Sequence, residues 1–361
     1  MSYLLAFLGF AALIILHEAG HFAAAKAVGM RVERFSLFFG PLLVKIRRGE
    51  TEYGIAPIPL GGYVKITGMS PREEIPPEVL PRAYYNQPVW KRIVVITAGP
   101  AVNLVLAFVL IVGIVLATGE PVIRHGQPVL QVQSLEAPAS QYLRSGDTLV
   151  AVDGGRDLPV EGITKRIASH ACVGTPVAGC VARTPVKLVV RRSGQLLNFT
   201  IRPRYDASVK RMRLGFAFKV QTRGVGLPGA ASQSVSQMWL VTRTTVSTIS
   251  RLFEPQVRRQ LHGVVGGFKV TQQRFAFDTT EAIYTLALIS LSLAVVNLFP
   301  FLPLDGGHIF WAVAEKVRGK RIRFEIMERA GVVGFVLILL LFFVGFSNDI
   351  STLTGQGFNT R

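Results

Sequence analysis

The sequence predicts an α-helical membrane protein with four transmembrane helices, a re-entrant β-hairpin-like loop between the first two, and a β-rich domain inserted between the second and third. Three observations carry this. Half of the 361 residues are hydrophobic. Four apolar segments, Tyr3–Val28, Ile93–Ala117, Thr279–Phe299 and Gly331–Phe346, approach the length a helix needs to cross a bilayer. Between the second and third, short alternating runs are separated by Gly, Pro, Asn and Asp.

The first segment lacks a basic leader and a small-residue cleavage site, so it reads as a retained span. It carries His17-Glu18-Ala19-Gly20-His21. Residues four apart share a helix face, so His17 and His21 are placed to bind one metal ion while Glu18 points aside toward a water. Two histidines merely packed in a helix bundle is the bland alternative, weakened because ionisable groups at membrane depth are costly and mark function.

After this span, Gly54–Ile66 is too rich in Pro and Gly for a spanning helix. It reads as a β-hairpin or loop whose edge would accept an added strand, against the alternative of an ordinary cytoplasmic loop. Arg31, Arg34, Lys45, Arg47, Arg48, Lys65, Lys91 and Arg92 cluster between the first two spans, and Lys316, Arg318, Lys320, Arg321 and Arg323 between the last two. The positive-inside rule makes both loops cytoplasmic and both termini extracytoplasmic.

Within the insertion, Val129–Val132, Thr148–Val152, Val186–Val190 and Leu196–Ile201 read as strands. Gln233–Phe253 is apolar on one side but too polar to span, which fits an interfacial amphipathic helix, with a packed linker helix as the alternative. The expected organisation is a membrane domain at 1–120 and 279–361, a β-domain at 121–222, and a helical linker at 223–278.

The formal charge is +18, yet Lys and Arg are scattered with no aromatic-interleaved stripe, which excludes nucleic acid as a partner and favours an anionic lipid bilayer. Cys172 and Cys180 are the only cysteines, too far apart for a CxxC motif.

A catalytic zinc usually has three protein ligands and an open position for water, so two histidines need a partner elsewhere. Asn297 through His308 ends the third span with two prolines and an acid before two glycines. Asp305, in irregular backbone at membrane depth, is the leading third ligand and His308 its rival. Under the charge argument the first and third spans run in the same direction, so the two motifs reach a shared depth. The chemistry expected is zinc-assisted peptide hydrolysis with Glu18 as base. A scaffold with a degenerate metal site, or a transporter, is disfavoured by the intact ligand set and by the lack of internal repeats.

Ser145 through Gly155, with Gly146-Asp147 and Asp153-Gly154-Gly155, resembles the glycine-aspartate strand and turn of bacterial PDZ domains. His17 through His21, Gly61-Gly62-Tyr63-Val64-Lys65 and Asn297 through Gly307 together resemble the site-2 protease family of intramembrane zinc metalloproteases, especially bacterial RseP-type members with a PDZ domain. The resemblance covers nearly the whole chain in matching order. It implies His17, His21 and Asp305 as Zn²⁺ ligands, Glu18 as catalytic base, and Asn297 with Gly61, Gly62 and Tyr63 against the substrate. It further implies single-span membrane substrates, anti-sigma factors or signal-peptide remnants, and residence as a monomer in the bacterial inner membrane with an extracytoplasmic PDZ-like domain. The chain departs from RseP in showing one PDZ-like unit rather than two, and in carrying His262-Gly263-Val264-Val265-Gly266 where the family has a glycine-proline-rich stretch. Cys172 and Cys180 fall in an apparent PDZ insertion, where an oxidising compartment would permit a disulfide; two free thiols are the alternative.

Overall fold

A computed structural model describes residues 1–69, 73–207, 209–252, 254–260 and 263–354. The chain divides into two compact units, Met1–Ile114 with Ala231–Arg361, and Val115–Ala230. Its helices are α1 (Ser2–Ala27), α2 (Val89–Thr118), α3 (Val160–Ala168), α4 (Leu227–Ser250), α5 (Pro255–Gln260), α6 (Val264–Phe277), α7 (Thr279–Asn297), α8 (Asp305–Arg318) and α9 (Phe324–Thr354).

In the first unit α1, α2, α7 and Glu325–Thr352 of α9 are long and apolar enough to cross a membrane. Asp278 caps α7 by accepting from the N–H groups of Thr280 and Glu281. The fourth span is longer than its apolar run, because polar residues on both flanks interrupt hydrophobicity without a Pro or Gly to stop the helix. One of them, Asp349, is wholly buried and accepts from Gly263 N–H at 3.0 Å and Gly266 N–H at 2.8 Å, which caps α6. The segment expected to depart from the family therefore starts a helix, although His262 lies outside the described residues. Helix α4 starts before the expected Gln233, since Pro228 sits in a first turn whose N–H groups have no intrahelical partner. It leaves Val235, Trp239, Leu240 and Val246 exposed; Phe253 is outside the described residues.

Between α1 and α2 lies a sheet of β1 (Val32–Phe39), β2 (Val44–Arg48), β3 (Thr51–Ile55) and β4 (Ile58–Ile66), in the order β2-β3-β1-β4. This corrects the expected hairpin at Gly54–Ile66. The two halves of that stretch flank β1, parallel on the β3 side and antiparallel on the β4 side. The tight hairpin is β2–β3, closed by Gly49-Glu50 with Gly49 at φ +60°, a two-residue connection that needs a left-handed residue. Ala25, Met30, Val32, Ile66, Tyr84 and Val95 pack together and weld the end of α1, the sheet and the start of α2.

The second unit holds a sheet in the order Gln195–Ile201, Val186–Arg192, Thr148–Val152, Leu130–Leu135, Phe216–Val220, all neighbours antiparallel. Ile163 and Ile167 of α3 complete its core with Leu130, Val152, Val186 and Leu188. Asp147 staples the sheet: its buried carboxylate accepts from Arg192 Nη2 at 2.6 Å and Nε at 2.8 Å, and from the Arg144 N–H. Burial alone would raise that carboxyl, but these hydrogen bonds prevail and hold it below the usual carboxylate value. Cys172 and Cys180 form a disulfide.

Candidate metal centre

His17 and His21, four residues apart on α1, present Nε2 atoms 3.3 Å from one another, and each lies 3.4 Å from Oδ2 of Asp305. Both imidazoles are buried and the carboxylate is largely so. Among the described residues these three form the single group of His, Cys, Asp and Glu with ligand atoms close enough for one metal ion. Asp305 Oδ2 has no hydrogen-bond partner among them. His21 Nδ1 lies 2.8 Å from the Val95 carbonyl, so Nδ1 carries the proton and Nε2 presents a lone pair.

Three electron-pair donors facing one point are unfavourable without a cation between them. A tetrahedral zinc with bonds of about 2.0–2.1 Å separates its ligand atoms by about 3.3–3.4 Å. The observed triangle fits that figure, so the residues present suit Zn²⁺.

Three structural devices set this spacing. First, α1 and α2 touch at backbone range: a Cβ on Gly20 would lie 2.6 Å from the Ala98 carbonyl oxygen, and one on Gly99 would overlap the His21 ring. Second, Asp305 begins α8 instead of lying in the irregular backbone expected for it. The irregular part is 298–304, which folds back so closely that side chains at Gly306 and Gly307 would run into the backbone of Leu298 and Leu302. That contact is why two glycines follow the acid. Third, Arg92 Nη2 of α2 meets Glu315 Oε2 of α8 at 2.5 Å, both side chains buried, which fixes α8 against α2. Removing one partner of such a pair costs on the order of 3–5 kcal/mol.

Glu18 lies beside the triangle, within electrostatic range of His17, His21 and Asp305. Strand β4 crosses over it, and a Cβ on Gly62 would collide with the Glu18 side chain. Gly61 meets the Phe39 ring, and the half-exposed Tyr63 ring tilts against Phe39 at 6.1 Å. At the far end of β4, outside the spans, Lys65 is ion-paired to Glu33 at 2.5 Å and Glu73 at 3.0 Å. Its pKa is raised, by Glu33 above all. Asn297 Nδ2 lies 3.4 Å from His17 Nε2. All the residues anticipated from the sequence except His308 therefore gather around the triangle or on the strand above it. His308 lines a separate small cavity with Tyr84, Tyr85, Arg92, Trp311 and Glu315.

The sequence reading missed Asn103, which is wholly buried on α2 with its amide 3.2 Å from His17 Nδ1. It also missed Gly99 and Ser290, whose hydroxyl donates to the Asn103 carbonyl at 3.0 Å. A lone Asn four residues after Gly99 in an otherwise apolar span was the available signal.

Buried His, His and Asp side chains with an adjacent acid, in a unit with four helices able to cross a bilayer, are the makings of a multi-pass membrane metallohydrolase. The profile of peptidase family M50 matches residues 5–341, and the chain belongs to that family, the site-2 proteases. It is 33% identical over 344 residues to the zinc metalloprotease Rip1 of Mycobacterium tuberculosis, covering 84% of this chain and 83% of that protein. A Nostoc sp. protein named as a candidate zinc metalloprotease is 30% identical over 368 residues, 99% of this chain and 98% of its own. A similarly named Synechocystis protein is 32% identical over 340 residues, 92% and 89% of the two chains. The protein is a zinc metalloendopeptidase.

Proposed function

We propose that the chain cleaves single-span membrane proteins within the bilayer, as a step in regulated intramembrane proteolysis, with anti-sigma factors or signal-peptide remnants as substrates. The observation that carries this reading is the His17, His21, Asp305 triangle, sized for zinc, with both histidines on a membrane-capable helix and Asp305 eight residues past the end of another. In this reading those three residues hold Zn²⁺, which when bound acidifies a water and polarises the scissile carbonyl. Glu18 accepts the proton as the water oxygen joins the acyl carbon, then returns it to the nitrogen as the C–N bond breaks. Asn297 steadies the substrate backbone beside His17.

A helical substrate hides its carbonyls in hydrogen bonds and must be drawn out into extended form. Strand β4 is suited to receive it. Of the two sheet edges, β2 is guarded by exposed Lys45, Arg47 and Arg48, a device that blocks strand addition. Strand β4 carries no charge before Lys65 and runs directly over Glu18. An added strand there delivers its peptide bonds beside the metal.

The basic loops support cytoplasmic placement of the sheet and of 316–323, extracytoplasmic termini, and residence in the bacterial inner membrane. The Gly146-Asp147 turn and the antiparallel sheet support a PDZ-like reading of residues 121–222, and the disulfide fits an extracytoplasmic side. The test is Glu18→Gln, co-expressed with a single-span reporter: zinc stays bound and cleavage stops. Cleavage at the same bond by the variant would remove Glu18 as the base.

A further inference from the structure

We propose that Asn103 is a positioning residue that holds His17 in its metal-binding tautomer by accepting a hydrogen bond from Nδ1–H. The proposal rests on the reading of His17 as a zinc ligand. For Nε2 of His17 to offer a lone pair toward His21 and Asp305, its proton must sit on Nδ1. The group facing Nδ1 is the Asn103 amide, 3.2 Å away, in a position with no solvent access. With Nδ2 turned to the ring, Asn103 would be the donor, Nε2 would carry the proton, and Oδ1 has no partner among the described residues. Turning the amide over lets Oδ1 accept from Nδ1–H and frees Nε2 for the cation, with Nδ2 taking the place that Oδ1 held. Amide orientation is settled by such hydrogen-bond balance.

The arrangement then matches that at His21, whose Nδ1 donates to the Val95 carbonyl. Helix α2 supplies the acceptor for both imidazoles, one from its backbone and one from a side chain. The Asn103 backbone carbonyl is itself held by the Ser290 hydroxyl of α7.

The experiment is equilibrium zinc competition against a chelator on the purified full-length chain in detergent. Asn103→Leu keeps the branched outline, with bulkier methyl groups, and removes the acceptor, and should weaken zinc binding about 10–100-fold. Asn103→Asp keeps only acceptor atoms, as in the carboxylate–histidine–zinc arrangement, and should hold affinity within about threefold of native. Ser290→Ala disturbs the same helix contact without touching the amide, and should leave affinity within about twofold, whereas a purely structural role for Asn103 would lower it alongside Leu. Should the Leu variant not elute as folded protein, Asn103→Ala is compared with Asn103→Asp in its place. Native-like zinc affinity in the Leu or Ala variant overturns the proposal, as does an Asp variant that loses zinc as fully as Leu. If the native chain itself takes up no zinc, the ligand reading falls first and this proposal with it.

Discussion

Gly99→Ala adds one methyl group, and two effects of opposite sign compete. By helix propensity alone the change would stabilise α2 by about 1 kcal/mol. Sterics reverse it. The new Cβ would sit 2.7 Å from Cε1 and 2.8 Å from Cδ2 of His21, and nearer still to Nε2. Ring and methyl atoms pack at about 3.5–4.0 Å, so the ring must retreat by about 1 Å or more, or the helices must part. Retreat is opposed by the Nδ1 hydrogen bond to the Val95 carbonyl at 2.8 Å. Metal–ligand bonds tolerate only about 0.2 Å, so either adjustment would break the proposed coordination by His21. A misplacement of about 1 Å at a reacting centre costs on the order of 10²-fold in rate, and that is the loss expected in cleavage of a single-span reporter. Zinc content should fall with it, and thermal stability should not rise despite the better helix former. Full zinc content with cleavage within about twofold of native would refute the steric argument.

Asp305→Ala should strip zinc from the purified protein while His308→Ala leaves it nearly unchanged, since His308 faces the cavity beside Trp311 and Glu315; the opposite pattern in metal analysis would transfer the ligand role. An extended peptide copying a cleaved segment should inhibit reporter cleavage, and N-methylation of the amides on its pairing edge should abolish inhibition; equal inhibition by both peptides would dismiss strand addition at β4. In the second unit, the lowered Asp147 pKa means its stabilisation is complete above the unfolded value of about 3.9 and is lost as pH falls through the lower folded value. Asp147→Asn should therefore flatten the acid limb of unfolding measured against pH, and an unchanged limb would show that other carboxylates carry it.

The four spans and the three residues that meet in the triangle were legible because each leaves a local mark: an apolar run, two histidines one turn apart, an acid before paired glycines. The sheet between α1 and α2 was only half legible. Gly54–Ile66 announces irregular β-structure through Pro and Gly, but its halves pair with β1, and such non-local register has no local signature. Strand β2 was hidden for another reason, since Lys45, Arg47 and Arg48 read as topology charge when they also blunt an edge. The length of α9 was missed because hydropathy marks where lipid contact ends, whereas a helix ends where its hydrogen bonds do.

Least visible was the part played by α2, which contributes no corner of the triangle. Arg92, Val95, Gly99 and Asn103 are spaced by three, four and four residues, so they lie along one stripe of that helix. From one end to the other the stripe grips Glu315 of α8, accepts from His21, leaves room for its ring, and meets His17. The same helix thus measures out the two histidines of α1 and fastens the helix that starts with Asp305. Val105 and Val109, off that stripe, are exposed in the chain alone, as residues that meet lipid should be. A triangle of candidate ligands with edges of 3.3–3.4 Å cannot be kept by three residues on two separate helices unless a third element fixes both, and α2 does so with groups that only a buried, apolar setting makes consequential.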